Sequence, residues 1–114
     1  MDAFVSCELN HWAPNRQLAE LFQTCRAVRT YGCASRAITL VAQGALDVHI
    51  DVRNRLTPES FLAASLLLTE AGGFLCKPDG QPVGPFSSIR HRTVLIAAAG
   101  KDLAMEVVGA LGGE

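Results

Sequence analysis

No run of about 18 consecutive apolar residues, the length a membrane-spanning helix needs, occurs in this chain. A transmembrane helix is therefore excluded. The opening residues, MDAFVSCELN, hold no basic stretch followed by an apolar one, so no secretory signal is expected. Charge is scarce as well. Only 18% of residues are charged, ten basic against eleven acidic, for a formal net charge of −1. Such a balance sets up no global field for nucleic acid or an anionic membrane, and neither is expected as a partner. Cys7, Cys25, Cys33 and Cys76 include no C-x-x-C pair. Without a secretory signal they read as reduced thiols of a cytoplasmic protein. His11, His49 and His91 are far apart, and no pair of candidate zinc ligands falls at helical or knuckle spacing.

The common catalytic motifs are missing too. No G-x-S-x-G elbow, H-E-x-x-H helix or G-x-x-x-x-G-K-[ST] loop is present. The stretch GCASR, Gly32 to Arg36, faintly resembles a cysteine-phosphatase loop. Such a loop needs more residues between the cysteine and the arginine, so that backbone amides can surround a phosphate. Cys33 is therefore read as a plain helix-start cysteine.

What remains is an apolar chain of 114 residues, the size of one domain, residues 1–114. A domain of this size buries roughly two-thirds of the surface its unfolded chain exposes. Mean hydropathy is +0.23, high for so small a soluble domain. The surplus apolar surface points to a subunit interface.

Periodicity gives a βαβαβαββα order, an α/β layered fold. Ala3 to Glu8 alternates loosely as a strand, and a helix follows with Pro14 in its first turn. On that helix Leu18, Leu21, Phe22 and Cys25 share one face. AVRTY is a second strand, and GCASRAITLVAQG a helix with Ala34, Ala37, Ile38 and Val41 inward and Gly44 ending it. ALDVHIDV is the clearest strand: Leu46, Val48, Ile50 and Val52 alternate with Asp47, His49 and Asp51. On that pattern His49 is expected to be exposed. LTPESFLAASLLLTEAGG, Leu56 to Gly73, is a helix with Thr57 as cap, Pro58 in the first turn and Gly72–Gly73 as the stop. Between Phe61 and Leu68 only Ser65 is polar, so this helix is expected to be covered on most sides. FLCK and TVLIAAA are strands around a KPDG turn, and KDLAMEVVGAL closes the chain as an amphipathic helix.

Candidate site residues are few. Asp51, at the end of the clear strand, is either a cleft carboxylate or a solvated strand-end carboxylate paired with Arg53. Arg29, Arg53 and Arg55 form either an anion site near helix starts or ordinary surface ion pairs. Two-metal phosphoryl chemistry needs several carboxylates around ions about 3.5 to 4 Å apart. Asp47, Asp51 and Glu59 do not cluster in sequence.

Three signals in order carry a family resemblance: GCAS opening a helix, VAQGALDVHIDVRNRL, and a helix ending in EAGG. TVLIAAAGKDL and FVSCELN extend it over nearly the whole chain. Together these segments resemble the C-terminal half of the inositol monophosphatase family, which includes archaeal and bacterial fructose-1,6-bisphosphatases. The resemblance implies half of a five-layer αβαβα fold, in a family of Mg²⁺-dependent phosphate-ester hydrolases. It also implies that Ala34 lies with its backbone near a sugar or inositol, and that Asp51 accepts from substrate hydroxyls.

The departures are as specific as the match. The family's D-P-x-D-G-T motif and its upstream glutamate-rich motif, which carry most metal ligands, do not occur in these residues. The chain opens with its own methionine past the point where they belong. The family's remaining metal carboxylate stands ten residues before the glutamate of EAGG, and that position here is Ser60. A neutral hydroxyl does not replace a carboxylate on Mg²⁺. The expectation is a C-terminal half without catalytic or metal-binding residues, inactive alone and serving as a structural or interaction module. Two alternatives stand beside it: a subunit of a split phosphatase whose other chain brings the catalytic half and Mg²⁺, and a non-hydrolytic sugar-phosphate or inositol-phosphate binder. The missing half should leave an apolar face. A homo-oligomer, most simply a two-fold dimer, is expected to cover it through helix faces such as that of Leu18, Leu21 and Phe22.

Overall fold

A computed structural model describes residues 1–112, and the order of elements in it follows the sequence reading. Strand β1 (Phe4–Cys7) leads to α1 (Arg16–Thr24), β2 (Ala27–Arg29), α2 (Ala34–Ala42) and β3 (Val48–Leu56). A single 3₁₀ turn (Pro58–Ser60) then precedes α3 (Leu62–Glu70), β4 (Phe74–Cys76), β5 (Thr93–Ala98) and α4 (Lys101–Ala110). The five strands form one mixed sheet in the order β2-β1-β3-β5-β4. β1 pairs in parallel with β2 and β3, whereas β5 runs antiparallel to both β3 and β4.

Helices cover both faces of this sheet. On one side α1 and α4 bring Leu18, Leu21, Ala104 and Val107 onto Val5, Val48 and Ile50. On the other, α2 and α3 bring Ile38, Val41, Ala64 and Leu68 onto Leu95 and Ala97. The α1 stripe is thus interior. Leu18 and Leu21 lie in the core and Phe22 packs against it, so they are not the free interface face expected from the sequence.

The double cover also overturns the expectation for His49. Alternation along β3 does not separate core from solvent, because α2 and α3 lie over the polar set. His49 is 0% exposed, its Nδ1 is 2.9 Å from the Ser6 hydroxyl, and among the described residues its Nε2 has no hydrogen-bond partner.

Other local corrections have simple causes. Pro14 lies just outside α1, and Asn15 is its cap, its side chain accepting from the Leu18 amide at 2.9 Å. The stretch from Leu56 to Gly73 is two pieces, because the chain breaks at Phe61 (φ −145°), whose ring is buried in the core. Thr57 makes no capping bond to the backbone. Nor is α3 covered on most sides: Leu62, Leu66 and Leu67 are 45%, 62% and 55% exposed. At its end Gly73 is required by space, since a Cβ there would lie 2.6 Å from Leu68 Cγ and 2.9 Å from the Ala98 carbonyl oxygen.

Candidate functional site

Strand β1 ends beside Ile50 of the parallel strand β3, which runs on to Leu56, and ligands of α/β sheets gather at the carboxyl ends of such strands. Cys7 is in register with Ile50, and the Glu8 amide donates to the Ile50 carbonyl at 3.2 Å. The residues that follow β1 therefore meet the second half of β3 at one end of the sheet. The N-terminus of α2 and the 3₁₀ turn before α3 complete a cleft of about 360 Å³. Glu8, Ala34, Ser35, Arg53, Arg55 and Ser60 are among its lining residues.

A break in the β3 ladder supplies the arginines. Asp51 pairs with Leu95 and Leu56 with Thr93, so β3 spends more residues than β5 over this interval and bulges. Asn54 sits in the bulge at φ +59°, a left-handed conformation that asparagine tolerates better than most residues. The bulge also carries Leu56 back to the core face that Asp51 occupies.

Asp51 is 0% exposed, and both its oxygens are engaged by Arg53. Oδ1 accepts from the Arg53 backbone amide and from Nε, each at 3.1 Å, while Oδ2 accepts from Nη2 at 2.9 Å. This is a two-pronged, charge-assisted pair of the strong kind. The hydrogen bonds that Arg53 donates to Asp51 raise the Arg53 pKa further still, against the opposing effect of partial burial. Arg55 is exposed, and its guanidinium donates to the carbonyls of Asn10 at 3.4 Å and His11 at 3.2 Å. Arg53 and Arg55 thus share the cleft. Arg29 is not brought into its lining; it is exposed at the end of the edge strand β2 and donates to the Val28 carbonyl.

Ala34 is the first residue of α2 and lines the cleft. The Cys33 side chain does not cap the helix, so the first-turn amides carry no side-chain partner at the cap. Ser60 stands across from them, its backbone carbonyl accepting from the Ser35 hydroxyl and its own hydroxyl 3.4 Å from that of Thr57. Burial, then the nearby charges of Asp51 and Glu8, push the Cys7 thiol up to about 12, so this cysteine stays protonated beneath the site.

One site residue was missed by the sequence reading. Glu8 is 2% exposed and lines the cleft, and its Oε1 accepts from the Gly32 amide at 3.1 Å. The available signal was its place, as the first polar residue beyond a short apolar strand that opens a β-α-β unit. Among the described residues no group of three or more His, Cys, Asp or Glu side chains is placed to hold a metal ion.

A mixed sheet clothed by two helices on each face, with a cleft at the ends of its parallel strands, defines an α/β protein of layered type. The model of the inositol monophosphatase family matches residues 5–111, and the chain belongs to that family. It is 35% identical over 78 residues to the inositol-1-monophosphatase of Bacillus subtilis, covering 68% of this chain and 28% of the relative. It is 31% identical over 91 residues to the fructose-1,6-bisphosphatase/inositol-1-monophosphatase of Thermococcus kodakarensis, covering 80% of this chain and 36% of the relative. A Pyrococcus horikoshii structure described as similar to inositol-1-monophosphatase superposes with a TM-score of 0.82 at 24% identity, over 96% of this chain and 42% of that one. The chain therefore spans about a third of the length of the curated relatives it matches.

Proposed function

We propose that this chain is the ligand-recognition half of an inositol monophosphatase-type site, without phosphatase activity of its own. The observation that carries this reading is the lining of the cleft. It offers cationic and hydrogen-bonding groups, namely Arg53, Arg55, the first turn of α2 and Ser60, around a single carboxylate, Glu8. Two guanidinium groups and helix amides suit a phosphate ester. They do not suit Mg²⁺, which wants several anionic oxygens in near-octahedral array. Asp51 does not help, because Arg53 occupies both its oxygens. The relatives are named for inositol monophosphate and fructose 1,6-bisphosphate, so polyol phosphates are the ligand class in this proposal.

Exposed apolar surface supports the further reading of an interaction module. On the opposite side of the sheet, α1 and α4 show Arg16, Glu20, Lys101 and Asp102 to solvent. On α3, by contrast, Leu62, Leu66 and Leu67 form an exposed stripe with no charged residue before Glu70. A partner half, as a separate chain or as the rest of a longer one, docks there and brings the carboxylates that Mg²⁺ requires. Without it, a second copy of this chain covers the stripe.

The test is a calorimetric titration with inositol 1-phosphate, with phosphate release followed in parallel in the presence of Mg²⁺. Binding without release is the expected outcome. Absence of binding overturns the recognition reading, and release by the chain alone overturns the claim of inactivity.

A further inference from the structure

We infer that Glu8, rather than Asp51, is the carboxylate that reads the hydroxyl groups of the ligand in this cleft, an inference that rests on the recognition reading above. Asp51 is 0% exposed and is not among the residues that line the cleft, and Arg53 covers one of its oxygens with two donors and the other with a third. Glu8 is engaged on one side only. Its Oε1 holds the Gly32 amide, and among the described residues no hydrogen bond reaches Oε2. Oε2 is not sealed in the core, so the carboxylate that lines the cleft keeps one oxygen open to a donor from a ligand.

The surroundings fix which donor. Arg53 and Arg55 stand on the same cleft, so an anionic group of the ligand goes to the arginine side and cannot share the carboxylate side. What is left for Oε2 is a neutral donor, and a hydroxyl of the same ligand meets that requirement. The bond from the Gly32 amide keeps the Glu8 side chain from swinging onto the arginines, and it ties the carboxylate to the loop that enters α2. Recognition of the hydroxyl and placement of Ala34 at the helix start are thereby coupled through one side chain. The ligand class follows: a phosphate ester with a free hydroxyl, preferred over one without.

Calorimetry with two probes tests this, inositol 1-phosphate with its hydroxyls and methyl phosphate without them. The unaltered chain is expected to prefer inositol 1-phosphate. Replacing a charge-assisted bond by a neutral one costs about tenfold in affinity, so Glu8→Gln should lose about that factor for inositol 1-phosphate. Its affinity for methyl phosphate should be unchanged or tighter, since a negative charge has been removed. Glutamine still accepts from Gly32, so the loop is retained. A second readout avoids the variant altogether. In the unaltered chain the Glu8 carboxylate ¹³C resonance should move on adding inositol 1-phosphate and stay in place on adding methyl phosphate. If the chain binds inositol 1-phosphate, but Glu8→Gln binds it equally well or the resonance does not respond, the assignment to Glu8 is wrong while the recognition reading stands. If neither probe binds, the recognition reading fails and this inference fails with it.

Discussion

His49 and Ser60 carry opposite kinds of information at the scale of single residues. Burial holds the His49 imidazole down to about 4, against an unfolded value of about 6.5. The nearby Asp51 pulls upward but is outweighed, and Arg53 adds to the downward shift. Because the folded value is the lower one, the unfolded chain binds the extra proton. The stabilisation is complete above about pH 6.5 and is lost as pH falls toward 4, at about 1.4 kcal/mol per pH unit for a single group. Over that window the loss is about 3 kcal/mol. Urea unfolding between pH 7 and pH 4 should show this slope, and His49→Gln should flatten it. An unaltered slope in the variant would mean that other groups govern acid stability. Ser60 leads to a prediction of no effect. Ser60→Asp places a carboxylate in the cleft but leaves it facing Arg53 and Arg55 with only Glu8 beside it. Calorimetry should find at most weak Mg²⁺ binding to this variant, and no phosphatase activity should appear. Tight binding accompanied by turnover would locate metal ligands not recognised here.

Among the elements, α3 separates two roles along one helix. Ala64, Ser65 and Leu68 face inward, while Leu62, Leu66 and Leu67 face out. Leu66→Glu should therefore leave folding stability nearly unchanged, as surface substitutions generally stay within about 0.5 kcal/mol. Leu68→Ala, in the core, should cost about 2–5 kcal/mol. Urea midpoints of the two variants decide it, and equal losses would contradict the orientation of the helix. The sequence could not have told these faces apart. Both are leucine and alanine, so α3 has no apolar stripe against a polar one, and only tertiary contact distinguishes Leu67 from Leu68. The elements themselves were legible, since α1 and α2 carry clear helical stripes and β5 a clear apolar run. The Gly72–Gly73 stop was legible too. Its full reason, the approach of Leu68 and the Ala98 backbone to Gly73, comes from residues distant in the sequence. The site was legible in part. Arg53, Arg55 and Ala34 were singled out and share the cleft. Sealing of Asp51 by Arg53 depends on the bulge in β3, and exposure patterns along that strand misled for His49 because helices lie on both faces of the sheet. Glu8 went unnoticed because a lone glutamate after a strand has no signature until a neighbouring strand and loop close over it.

At the scale of the whole molecule, a chain that spans about a third of the length of the relatives it matches combines an apolar stripe with a cleft poor in carboxylates. In isolation the stripe should be covered by a second copy about a two-fold axis. Light scattering coupled to size exclusion is expected to give twice the 12.2 kDa chain mass at tens of micromolar, and Leu66→Glu should return the folded chain to the single mass. A folded wild-type monomer, or a variant that remains dimeric, would rule out α3 as the seam. The central claim is that this half recognises a phosphate ester without hydrolysing it. Its most direct test is phosphate release by the purified chain in Mg²⁺, with inositol 1-phosphate and fructose 1,6-bisphosphate as substrates. The account predicts release no faster than in protein-free buffer. Turnover at the usual enzyme scale of about 1 s⁻¹ or more, abolished by Glu8→Gln or Asp51→Ala, would contradict it.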